Sequence, residues 1–255
     1  MISRRRFLVA FGSALVGVTL SASQLEKALA AFQSTEKGKN VQWGMIVDLR
    51  KCDPLNCRDC IDACVREHNI PKIEGKDHIW WITFIKFENA FPEQTHEMLG
   101  EFKEIPTLIL CNHCRYPPCT KVCPTQATWQ REDGIVMMDW HRCIGCRYCM
   151  AACPYGSRSF NWRDPRLNLA EITNPMFPTR TKGVVEKCIL CYHRIDRGEL
   201  PACVEACKNN ALIFGDLNKF DSEIRKMLDK EFTIRRKPST GAEPKIYYIL
   251  PWGEE

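Results

Sequence analysis

Sixteen cysteines stand in four tight runs of four, and no cysteine lies outside them. The runs are Cys52, Cys57, Cys60 and Cys64; Cys111, Cys114, Cys119 and Cys123; Cys143, Cys146, Cys149 and Cys153; and Cys188, Cys191, Cys203 and Cys207. Three thiolates in a short loop, with a fourth a helical turn further on, is how a protein grips a cubane iron–sulfur cluster. Four such runs imply four [4Fe–4S] clusters, and with them a conductor of electrons. The clusters themselves then serve as much of the core.

The spacings carry that reading. The third run, Cys143-Ile-Gly-Cys146-Arg-Tyr-Cys149-Met-Ala-Ala-Cys153-Pro154, fits C-x2-C-x2-C-x3-C-P without a departure, a spacing whose fourth cysteine ligates the other cluster of a pair. Runs therefore work in pairs. Gly145 lets the backbone fold tightly around the inorganic core. The second run lengthens its second gap to x4, and the fourth run widens that gap to x11, between Cys191 and Cys203. The first run is stretched at its first gap, Cys52-Asp-Pro-Leu-Asn-Cys57. Every run keeps the terminal C-x3-C.

Zinc and disulfides are the competing explanations. Structural zinc sites use two separated C-x2-C pairs, which only the fourth run resembles. Disulfide scaffolds are small exported domains, whereas 255 residues can bury a core without staples. The set as a whole reads as iron–sulfur.

The amino terminus, Ser3-Arg4-Arg5-Arg6-Phe7-Leu8, reads as a twin-arginine export signal followed by an apolar stretch from Phe7 to Leu20. Ala28-Leu29-Ala30 is an A-x-A cleavage candidate. The stretch falls short of the roughly 20 residues of a spanning helix, so a cleaved signal is favoured over an anchor. Location on the periplasmic or extracytoplasmic side follows. No other segment is long and apolar enough to span a bilayer, so membrane association must come through partners.

The formal charge is +5; Arg4, Arg5, Arg6 and Lys27 against Glu26 account for +3 of it, leaving +2 without the signal. Cubanes bound by thiolates add negative charge, which Arg158, Arg163, Arg166, Arg180, Lys182 and Lys187 are placed to offset. No basic stripe accompanies a nucleic-acid recognition motif, and no catalytic triad, phosphate loop or flavin fingerprint is present. No catalytic residue is assigned. His113 lies inside a run that already has four sulfurs, so it packs or tunes; of Trp80 and Trp81, one belongs to the core.

The elements follow the cysteines. Strands are expected over 41–49, 79–88, 134–138 with a turn at 132–134, 211–215 and 245–252, while 106–110 leads into the second run. Helices are expected over 202–208 and 222–230, and a loop insertion over 160–181. The fold class is α+β: duplicated two-cluster, bacterial-type ferredoxin-like domains with loop insertions, forming two cores. The divisions are 1–30 (signal), 31–110 (first run plus insertion), 111–160 (central pair of runs), 161–215 (insertion and fourth run) and 216–255 (helix and strand extension).

Certain stretches go beyond cysteine spacing: Asp48-Leu-Arg-Lys-Cys52, Cys111-Asn-His-Cys114 with Pro117-Pro118-Cys119, Cys153-Pro154-Tyr155-Gly156, and Gly198-Glu-Leu-Pro-Ala-Cys203-Val-Glu-Ala-Cys207. With these the chain resembles the four-cluster ferredoxin-like electron-transfer subunits of membrane oxidoreductases, such as dimethyl sulfoxide, polysulfide and tetrathionate reductases. The signal, the stretched first run and the missing tail helix resemble the branch from Dsr-associated, Hdr-like menaquinol oxidoreductase complexes. The resemblance implies a crosswise ligation. Cys52, Cys57 and Cys60 share a cluster with Cys207; Cys188, Cys191 and Cys203 share one with Cys64. Cys111, Cys114 and Cys119 share one with Cys153; Cys143, Cys146 and Cys149 share one with Cys123. Lys208 departs from the family, standing where a proline often follows the fourth cysteine. The implied role is electron relay between a quinone-binding integral membrane subunit and an exported cytochrome. Direct wiring to a molybdopterin catalytic subunit, and a free polyferredoxin or iron–sulfur sensor, are the alternatives.

Residues 1–35 fused to a reporter are expected to direct export, and replacing Arg4 and Arg5 by Lys to abolish it. Fractionation of the reporter reads the outcome.

Overall fold

The computed structural model describes residues 41–94, 100–169 and 174–251. The expected export signal, and residues 95–99 and 170–173 of the two insertions, lie outside the described residues.

From β1 (Trp43–Asp48) the chain enters α1 (Asp59–His68), then β2 (Ile82–Lys86), α2 (Phe87–Ala90), α3 (Gly100–Lys103) and β3 (Pro106–Leu110). Single turns α4 (Pro118–Lys121) and α5 (Tyr148–Ala151) precede the two-residue strands β4 (Ser159–Phe160) and β5 (Val185–Glu186). Single turns α6 (Tyr192–Ile195) and α7 (Ala202–Glu205) lead to β6 (Leu212–Asp216), α8 (Glu223–Lys230), β7 (Thr233–Ile234) and β8 (Ile246–Ile249).

Strand β1 is apolar up to the buried Asp48 at its end and is buried on both faces, as a central strand requires. It pairs antiparallel with β6, Val47 opposite Leu212, and parallel with β8, Met45 beside Ile246. Strand β7 closes the sheet in the order β6-β1-β8-β7. The alternation of side chains along β1 divides its burial. Met45 and Val47 join Ile246 and Tyr248 in the main core, while Ile46 packs with Ile213, Ile249 and Ile224 beneath α8. Ser222 caps α8 by accepting from the Arg225 amide. A Cβ on Gly215 would stand 2.9 Å from Ile224, so that glycine lets the helix approach the sheet.

The strands expected around 41–49, 79–88, 211–215 and 245–252 and the helix over 222–230 are present with shifted or trimmed ends, and residues 106–110 form a further strand, β3. Two expectations are corrected. Residues 134–138 make one bridge, Gln130 to Val136, and no strand. The Val136 amide donates to His113 Nδ1 and its carbonyl accepts from Lys187, on the edge turned away from residues 129–131, so side chains stand where a further strand would pair. The anticipated two cores are one: a single apolar cluster runs from Met45 through Trp81, Leu108, Ile135 and Ile189 to Tyr248. Pairing of β1 with both β6 and β8 draws the two ends of the chain into one body. Helix α7 stops at Glu205, short of the 208 expected, because the backbone turns back at Cys207 to accept the Ala211 amide on Sγ at 3.3 Å.

Four distant segments meet at one buried carboxylate. Glu186 accepts from Trp81 Nε1 at 3.0 Å and Asn161 Nδ2 at 2.6 Å, and pairs with buried Arg180 at 2.9 Å. Glu186→Leu strips Arg180 of its counter-ion and is expected to cost about 3–5 kcal/mol, read as a lowered denaturation midpoint.

Candidate metal centre

Three runs share one local turn. The residue before the second cysteine is left-handed in each: His113 at φ 41°, Gly145 at φ 70° and Leu190 at φ 55°. Two of these are not glycine, so the backbone is held in a region that side chains disfavour. Gly145 has a second constraint, because a Cβ there would meet the Gly183 carbonyl oxygen at 2.2 Å. The first run, with its longer gap, uses another device. Asp53 Oδ1 accepts from the Leu55 and Asn56 amides, and the Cys57 amide closes onto the Asp53 carbonyl. Helix α1 then carries Cys60 and Cys64 one turn apart, on one face.

All sixteen cysteines are free thiols, which removes the disulfide alternative for this structure. Their mutual electrostatics show which lie together. Cys60 is pushed up to about 12 by burial and then by Cys52, Cys207 and Cys57. Cys64 is raised by burial and then by Cys188, Cys191 and Cys203. Cys114 is raised by burial and by Cys111, Cys119 and Cys153. Cys149 is raised by burial, against Arg158, with Cys119, Cys143 and Cys123 as its thiol neighbours. Cysteines also meet between these groups: Cys60 acts on Cys203, Cys111 on Cys188, and Cys119 on Cys149. Exposure is uneven. The Cys64, Cys188, Cys191 and Cys203 group is buried throughout, whereas Cys146 is exposed and Cys52, Cys57 and Cys207 are half-buried. Leu55, 83 % exposed, and Ile144, 66 % exposed, stand beside the open groups.

Buried cations surround these thiols. Arg158, Lys187 and Lys245 are almost completely buried. Lys187 donates to the Val136 and Cys188 carbonyls, and Lys245 to the Gly134 carbonyl at 2.7 Å. Burial opposes the charge on Arg158, yet Cys119, Cys149 and Cys111 outweigh it and raise its pKa. Burial also pushes Lys245 down to about 8. Carbonyl ligands leave the positive charge of the two lysines uncancelled, so it is available to anionic sulfur. Of the other basic residues expected to compensate the clusters, Arg180 is spent on Glu186, while Arg163 and Arg166 pair with Asp77 and Asp164 at the surface.

The donor chemistry fits iron–sulfur clusters. A small pocket is lined by Cys111, Cys114, Cys119 and Cys153, with Tyr155 and Arg158 in its wall. Among the described residues no three His, Cys, Asp or Glu side chains are placed to hold a single metal ion. A multiply charged metal core would replace the protons of thiols gathered this closely. Amides supply further polar contacts: Leu190 N donates to Cys188 Sγ at 3.4 Å, and Ala211 N to Cys207 Sγ. The Arg115 amide binds the Glu243 carbonyl at 2.8 Å. His113 is buried and tied to the Val136 amide, and Trp81 is the core member of its pair.

One residue near the sulfurs escaped the sequence reading. His68 is 1 % exposed, and its ring lies 3.6 Å from both Cys64 Sγ and Cys191 Sγ. Burial pushes it down to about 3. Its spacing of four from Cys64 on α1 was the available signal.

Grouped, buried thiols on short loops define an iron–sulfur protein. The profile of the 4Fe-4S dicluster domain family matches residues 106–171 and 173–217. The chain is 40 % identical to the Hdr-like menaquinol oxidoreductase iron-sulfur subunit 1 of Archaeoglobus fulgidus over the full length of both. It is 34 % identical to a subunit of the tetrathionate reductase of Salmonella typhimurium, covering 97 % of this chain and 88 % of that one. It is also 34 % identical to a component of the polysulfide reductase of Wolinella succinogenes, covering 82 % and 94 %. The protein described here belongs to this family of iron–sulfur subunits.

Arg158→Gln removes a buried positive charge beside Cys119 and Cys149. It is expected to lower the midpoint potential of at least one cluster by about 59 mV, a tenfold change in the one-electron equilibrium. An EPR-monitored redox titration measures this.

Proposed function

We propose that the chain carries four [4Fe–4S] clusters and relays electrons, one at a time, between a quinone-interacting membrane subunit and an exported redox partner. The ligand sets are Cys52, Cys57, Cys60 and Cys207; Cys64, Cys188, Cys191 and Cys203; Cys111, Cys114, Cys119 and Cys153; and Cys123, Cys143, Cys146 and Cys149. The observation that carries this is the grouping of the thiols together with the contacts between groups. Taken in sequence, those contacts order the clusters in single file in the order just given. Apart from Cys153, the partly exposed cysteines belong to the two end sets, and the fully buried set is internal. That suits a wire with a partner at each end. The crosswise sets also support a duplicated ferredoxin-like arrangement, with the middle two runs as one pair and the outer two as the other.

The exported location rests on the Arg4-Arg5-Arg6 signal. The quinone-side partner is supported by the name of the Archaeoglobus relative, a menaquinol oxidoreductase subunit. A second reading, direct wiring to a molybdopterin catalytic subunit, draws on the relatives named as components of reductases. Affinity purification of the native complex separates them by the companion protein recovered: a multihaem cytochrome or a molybdopterin subunit.

Anaerobically purified protein is expected to contain about 16 irons per chain, and Cys64→Ser and Cys203→Ser are expected to perturb the same EPR signal. About 12 irons would reduce the array to three clusters. Separate signals affected by the two substitutions would overturn the crosswise pairing.

A further inference from the structure

We infer that His68 sets a reduction potential: its ring donates a hydrogen bond to the sulfur ligands of the cluster assigned above to Cys64, Cys188, Cys191 and Cys203. This rests on that ligand set. The ring lies at the end of α1, its Nδ1 3.0 Å from the Cys64 carbonyl oxygen and 3.6 Å from Cys64 Sγ, its Nε2 3.6 Å from Cys191 Sγ. A neutral imidazole carries one N–H. On Nδ1 that hydrogen goes first to the Cys64 carbonyl oxygen, the nearer acceptor, with Cys64 Sγ as a weaker second; on Nε2 it points at Cys191 Sγ alone. The Nε2 tautomer is therefore the full donor to a ligand of this cluster, and the Nδ1 tautomer a partial one.

The ring is fixed for this task. Trp81 packs on it at 4.5 Å between centroids, and Phe177 and His193 meet it edge-on at 4.8 and 5.5 Å. Arg180 holds the backbone behind it, donating to the His68 and Asn69 carbonyls, and is itself held by Glu186. Water is excluded, so the N–H···S contact acts in a medium of low dielectric. Reduction adds one negative charge to the cluster. A donor to charged sulfur binds the reduced state more strongly, and hydrogen bonds to sulfur are among the determinants of cluster potential. His68 thus raises the potential of an internal member of the array.

The test uses the full chain with its clusters and an EPR-monitored redox titration, the relevant signal being identified as the one altered by Cys203→Ser. His68→Phe keeps a ring without a donor, His68→Met is a second donor-free variant, and His68→Gln restores an N–H. The expected result is a fall in that signal's midpoint in the Phe or Met variant, of about tenfold in the reduced-to-oxidised ratio or ~59 mV. The other signals should stay in place, and the Gln variant should recover part of the shift. An unchanged midpoint in both donor-free variants overturns the inference, as does an equal fall in His68→Gln, which would make the residue a packing group. Loss of the cluster from both donor-free variants overturns it in favour of a role in holding the cluster. A wild-type protein without any signal dependent on Cys203 removes the ligand set first, and this inference with it.

Discussion

Strand β1 ends with the Asp48 amide donating to the carbonyl of Ala211 at 2.8 Å, four residues after Cys207. Four residues after Asp48 stands Cys52. The antiparallel ladder between β1 and β6 thus brings the first and last cysteine runs together across more than 150 residues of sequence. Parallel pairing of β8 on the other side of β1 adds the carboxyl-terminal segment, whose Lys245 amide binds the Asn112 carbonyl inside the second run. One sheet therefore positions three of the four runs, and the contacts from one thiol group to the next follow from it.

A second constraint is charge. Thiols packed this closely resist ionisation, as the raised values of Cys52, Cys60, Cys188 and Cys191 express. Buried lysines hydrogen-bonded to carbonyls, and Arg158 among Cys111, Cys119 and Cys149, supply positive potential where a carboxylate partner would cancel it. The arrangement is costly without a metal core, since buried cations and thiols each lose hydration. With a core in place the two costs offset one another. Folding and metal binding are then one event.

The strands were legible because their apolar alternation is local, and the C-x2-C turns because Gly145 and the short gaps advertise them. The bridge at Gln130 and Val136 was not legible as such: the outer edge of this strand-like sequence is taken by His113 and Lys187, one from the second run and one beside the fourth, so no further strand joins it. The single core was hidden for a similar reason. Internal repetition suggests two bodies, and only the pairing of β1 with β6 and β8 shows that the outer runs close onto each other. Arg180 looked like surface compensation for the clusters, but its partner Glu186 lies on a strand whose burial no local pattern signals.

By itself the sequence determined the chemistry: sixteen thiols, their grouping into runs, and hence iron–sulfur ligation, because cluster loops are built from ligands a few residues apart. The family resemblance already implied which runs share clusters; the tertiary structure alone decided that they close into one core, which thiol groups are open to solvent, and that His68 stands against Cys64 and Cys191. Those are relations between residues as far apart as 123 positions, and they exist only once strand pairing and burial have closed the fold.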